Sequence, residues 1–67
     1  MSVVKVIEVI AVSPKSWAAA AQQAVTDAAK TVKNIKHLYA ENLTAVVKND
    51  KIVEYRIDAK ISFVVEN

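Results

Sequence analysis

Residues 53–67, "VEYRIDAKISFVVEN", alternate between two sets of side chains. Val53, Tyr55, Ile57, Ala59, Ile61, Phe63 and Val65 fall on one face. Glu54, Arg56, Asp58, Lys60, Ser62, Val64 and Glu66 fall on the other. A period of two over this length predicts a long half-buried strand. Earlier in the chain, "VVKVIEVIAV" (Val3 to Val12) is rich in β-branched residues and predicts a first strand. "SPKSW" then signals a helix start, with Ser13 placed to accept from a free amide of the first turn and Pro14 suited to the first helical position. From Pro14 to about Lys33 the composition is strongly helix-forming. Trp17, Ala21, Ala24, Val25, Ala28, Val32 and Ile35 recur on one side at helical spacing. A second strand is predicted over His37 to Lys48. "KNDK" (Lys48 to Lys51) predicts a tight turn, because Asn49 and Asp50 tolerate the positive φ that such turns require. The order is β-α-β-β, an α+β fold in which one helix lies on a three-stranded antiparallel sheet.

The small side chains of the helix stripe let its axis sit close to the sheet, with Trp17 filling one end of the groove by packing. The apolar face of the third strand must cover that helix. Glu54, Arg56, Asp58 and Lys60 are then left on the outer face of the sheet, and nothing else in the chain can cover them. That face is either solvated or covered by other copies.

Length sharpens this choice. Residues 1–67 form a single domain, and a chain this short buries only about 60% of the surface its unfolded form exposes. Domains of this size rely on disulfides, metals or oligomerisation. There is no Cys and no Cys/His cluster, while 54% of residues are hydrophobic, so self-association is the expected staple. The Cys count fits a reducing compartment. Lys5 and Glu8 break the N-terminal apolar run, and no run nears the roughly 18–20 residues that cross a bilayer, so a cytoplasmic protein without a membrane partner is expected. Nine basic residues spread from Lys5 to Lys60 amid acids, for a net charge of +2, do not form the basic stripe of a nucleic-acid binder. The absence of Gly excludes the phosphate-cradling loops of nucleotide sites.

The order of elements, the length, "KVIEVI" before a Ser-capped helix, "AAKTV" at the helix end and the long final strand together resemble the dodecins. The resemblance covers almost the whole chain. It implies a sheet half-wrapped around its helix and twelve copies assembled as a hollow sphere of 23 symmetry, in which outer sheet faces meet. The charges of Glu54, Arg56, Asp58 and Lys60 would then be interfacial or cavity-facing. It further implies a non-enzymatic binding or storage role for a small ligand, with a flavin (FMN or riboflavin) as the family default. Flavin-binding dodecins carry a Trp at the start of the second strand and a Gln after the Tyr of the third. Here the corresponding residues are His37, and Arg56 after Tyr55. The family's Gly residues before the helix and near the end of the last strand are replaced by Ala11 and Ser62. The chain thus resembles a Trp-lacking branch, members of which have been linked to calcium in place of flavin.

The candidate ligand positions by resemblance are His37, Tyr55 and Arg56. His37, the single histidine, can stack an aromatic ligand, switch with pH or pair with an acid of another copy. Arg56 can donate to a ligand oxygen or form ion pairs with Glu54, Asp58 or Glu41. The acids Glu8, Glu41 and Asp58, with Glu54, are the candidate metal ligands. Calcium takes six to eight oxygens and no run resembles an EF-hand loop, so such a site would arise only where copies meet. With one His and no evident partner for it, an enzyme is not expected.

Overall fold

A computed structural model describes residues 2–66. Four elements follow one another: β1 (Ser2–Ser13), α1 (Trp17–Ala28), β2 (Ile35–Lys48) and β3 (Lys51–Glu66). The sheet order is β1-β3-β2 and both pairings are antiparallel. The expected β-α-β-β arrangement is present, with the longest strand in the centre.

Register explains which residues face the helix. Ile7, Val9 and Ala11 of β1 stand opposite Ile61, Ala59 and Ile57 of β3, and β2 adds Leu38, Ala40 and Leu43 to the same rows. The buried core is Ala11, Ala20, Ala24, Ile57, Ala59 and Ile61. Small residues dominate it, and among the described residues Ile61 is the one large side chain that is fully buried. The odd-numbered face of β3 therefore meets the helix as its alternation predicts.

The helix is shorter than predicted and starts later. Its N-cap is Ser16, not Ser13: Ser16 Oγ accepts from the Ala19 amide at 2.9 Å. Ser13 remains in the ladder opposite Tyr55, and its Oγ accepts from the Lys15 amide at 3.0 Å, so it shapes the corner that Pro14 occupies. With two serines flanking "PK", the one already committed to the strand could not cap. At the other end the helix stops at Ala28, and 29–31 form a turn whose amides return to Val25, Asp27 and Ala28.

Asn34 takes φ 64° and its carbonyl accepts from the Val64 amide at 3.1 Å, turning the chain into β2. Ile35, expected on the helix stripe, is consequently the first residue of β2, which begins two residues before the predicted His37. Asn49 (φ 53°) and Asp50 (φ 63°) form the predicted two-residue turn. Ser62 departs from expectation: it lies on the outer side by alternation but is buried.

Trp17 ties the helix to both long strands. Its Nε1–H donates to the Thr44 carbonyl at 2.9 Å, and its ring meets Tyr55 edge-on with centroids 4.9 Å apart. Its role is packing, as its place in the first helical turn predicts.

Candidate functional site

The outer face of the sheet gathers the chemistry. Lys60 stands on β3 directly opposite Glu8 of β1 and Tyr39 of β2, and Asp58 stands opposite Ile10 and Asn42. Glu41 falls at a register shift between Ala40 and Asn42. Such a bulge re-aims a side chain out of simple alternation. Glu41 Oε1 consequently reaches Lys60 Nζ at 2.9 Å. Three strands thus place Glu8, Glu41 and Asp58 around a single ammonium group.

The electrostatics reflect that imbalance. A hydrogen bond with Asp58, followed by the Asp58 charge, by burial and by the Glu41 charge, holds the Glu8 carboxyl above its ordinary value, while Lys60 pulls it down. Lys60 is raised above its ordinary value, first by its hydrogen bond to Glu41 and then by the Glu41 charge, with smaller contributions from Glu8 and Asp58. Asp58 Oδ1 is buried and has no hydrogen-bond partner. A buried carboxylate oxygen without a donor is costly, and beside two further acids it favours any cation that can reach it. The donor set is all oxygen, which suits a hard divalent cation. Among the described residues no three acidic or histidine side chains converge tightly enough to hold a metal within one chain.

The three positions expected to contact a ligand do not converge within one chain. His37 lies on β2 opposite Ser62, with its ring stacked on Tyr39 at a centroid distance of 5.9 Å and an interplanar angle of 30°. Arg56 lies on β3 opposite Val12 and Thr44 and is exposed. Six residues of strand separate Arg56 from Ser62, or roughly 20 Å at the usual rise. Tyr55 faces the other side of the sheet, where it packs on Trp17. Glu54, Arg56, Asp58 and Lys60 do share the outer face, with Glu54 opposite Val46.

Tyr39 is the participant that sequence reasoning missed. Its spacing of two from His37 on a strand was the available signal. The bulge at Glu41 leaves no comparable trace, since nothing in "YAENL" announces it.

Comparison with known proteins places this geometry. The dodecin family model matches residues 3–66. Calcium dodecin of Mycobacterium tuberculosis is 38% identical over 63 residues, covering 94% of this chain and 89% of that protein. A crystal structure of that calcium-chelating antigen, described as having a novel calcium-binding site, superposes with a TM-score of 0.80 at 36% identity, covering 91% of this chain and 87% of the other. A mutant of T. thermophilus dodecin superposes with a TM-score of 0.93 at 22% identity over the whole of both chains. Dodecin from Streptomyces coelicolor gives 0.92 at 21% identity, over 98% of this chain and 94% of that one. The latter two likenesses concern the fold alone.

Proposed function

The chain belongs to the dodecin family, and we propose that it is a non-enzymatic, self-associating binding protein, assembled from twelve copies, whose ligand is calcium in preference to flavin. The observation that carries this reading is Asp58 Oδ1, buried and without a donor, between the acids Glu8 and Glu41. Glu8, Glu41 and Asp58 are the residues that would hold the ion, and its two charges would offset the excess of carboxylate there. Three carboxylates fall short of the six to eight oxygens that calcium takes. Among the described residues of one chain the three do not converge tightly enough to hold a metal, so oxygens of a second copy complete the set, and binding and assembly support one another. The likeness to a calcium dodecin points the same way.

Flavin is the less supported ligand. His37 offers a smaller surface than an indole and is already stacked on Tyr39. Arg56 has donors and no acceptor, unlike the Gln of flavin-binding dodecins. Stacking on an aromatic side chain is worth about 1–3 kcal/mol by analogy with nucleic-acid bases, so two such losses weaken flavin binding by a few powers of ten.

Calorimetric titration of chelator-stripped protein tests the proposal. Calcium should bind saturably to the parent, and Asp58→Asn, which keeps size and removes charge, should weaken binding by at least about tenfold. A parent that shows no heat with calcium, or an Asp58→Asn variant that binds as tightly, contradicts it.

A further inference from the structure

The carboxylates assigned to calcium already have a cation among them. Lys60 Nζ lies 2.9 Å from Glu41 Oε1. Glu8 stands directly across the ladder from Lys60, and Asp58 precedes it by two residues on the same face. The ammonium is raised above its ordinary value by its hydrogen bond to Glu41 first, and then by the charges of Glu41, Glu8 and Asp58. Arg56, the next cation along that face, makes no ion pair among the described residues. Lys60 is therefore the cluster's own counter-ion. Three acids that do not converge on a metal within one chain are arranged around an ammonium instead.

We propose that Lys60 is a tethered competitor of calcium: it fills the carboxylate cluster until a divalent cation displaces it, and so sets the affinity of the site and its preference for divalent over monovalent ions. The inference rests on the calcium reading above and assigns its regulation.

The ion pair is loose enough to yield. The side chains of Lys60 and Glu41 are 46% and 38% exposed, and pairs this open to water contribute little. Lys60 also ends in a flexible four-carbon stem, which can swing its ammonium into solvent without moving β3. Valence decides which ions can replace it. One ammonium against three carboxylates leaves two negative charges, which a divalent cation answers. Sodium or potassium carries no more charge than the ammonium it would replace. The tether moreover gives Lys60 a high effective concentration that a free ion must match. A divalent ion brings a further charge and gathers six or more oxygens where calcium is bound, whereas an ammonium has three protons to donate. Asp58 Oδ1 marks where that advantage lies. It is buried and without a hydrogen-bond partner, so the ammonium does not satisfy it, and it remains an acceptor for the incoming ion.

Stability and affinity should respond to Lys60 in opposite senses. Lys60→Met keeps most of the stem and removes the charge. In chelator it should melt below the parent, because three carboxylates lose their counter-ion. Titrated with calcium, it should bind about tenfold more tightly, since one competing charge is gone. A role confined to packing would lower both. Lys60→Arg restores the charge and should bind no more tightly than the parent. Native mass spectrometry checks that each variant assembles as the parent does, and Lys60→Gln takes the place of a Lys60→Met that does not. The parent alone supplies a further test. Exchanging potassium for tetramethylammonium at equal ionic strength should leave its calcium affinity unchanged, whereas potassium should weaken calcium binding by Lys60→Met. Three results overturn the inference and leave the calcium reading standing: a parent that binds calcium while Lys60→Met binds it no more tightly, a Lys60→Met that melts at or above the parent in chelator, or a parent whose affinity depends on potassium. A parent that takes no calcium while Lys60→Met does so contradicts the calcium reading and supports Lys60 as the occupant. If neither binds, both fall.

Discussion

Glu8 stands among neighbours that disfavour its charge. Its carboxyl is raised in the folded chain, so the folded state holds that proton more tightly than the unfolded one does. Stability therefore increases as pH falls through the raised value, and at neutral pH the ionised Glu8 is a liability in the absence of a metal. Glu8→Gln should accordingly raise the melting temperature at pH 7 in chelator. The gain over the parent should fade as pH drops through the carboxylate range, where the parent's own Glu8 takes up its proton. A Glu8→Gln melting temperature at or below the parent's at pH 7 would contradict the assigned electrostatics. The sequence made the acids visible as candidates, because Glu8, Glu41 and Asp58, with Glu54, are the oxygen donors it offers for a metal. Their meeting was not visible. It depends on the register that sets Glu8 opposite Lys60, and on a bulge that turns Glu41 toward the same ammonium. Conversely, Tyr55 and Arg56 are adjacent in sequence, and adjacency on a strand sends them to opposite faces.

The elements follow from local chemistry, but their ends follow from competition. Both serines of "SPKSW" can cap, and the ladder's hold on Ser13 leaves the role to Ser16. Ser16→Ala should therefore cost about 0.5–2 kcal/mol, and Ser13→Ala distinctly less; denaturant unfolding of the two variants measures this, and the opposite order would return the cap to Ser13. Strand existence, the hairpin turn at Asn49 and Asp50 and the helix-facing side of β3 were all legible, because alternation and turn chemistry act locally. The end of the helix was not. "AAKTVK" remains helix-compatible, but Asn34 bonds through its backbone to Val64 and draws Ile35 into the sheet. That contact joins residues 30 apart and leaves no mark on a local pattern.

For the whole molecule, composition was the informative level. A chain that is 54% hydrophobic with a core built largely of alanine cannot hide its apolar residues alone. The structure shows where they remain, along β1 and at the end of the hairpin. Ile61 is the most deeply buried large side chain of that core, so Ile61→Ala should destabilise by about 2–5 kcal/mol, read from the shift in the unfolding midpoint; a loss below that range would mean that contacts between copies carry the stability. The family, the sheet order and the face on which the acids lie are established by fold and likeness together. Among the described residues no helix is long and apolar enough to cross a membrane. The central claim is that this dodecin assembles and takes calcium in preference to flavin. Native mass spectrometry with calcium and riboflavin offered together tests it most directly. The expected result is one species of about twelve times 7.3 kDa carrying calcium and no flavin, whereas a monomer, or an assembly loaded with riboflavin and free of calcium, would contradict the claim.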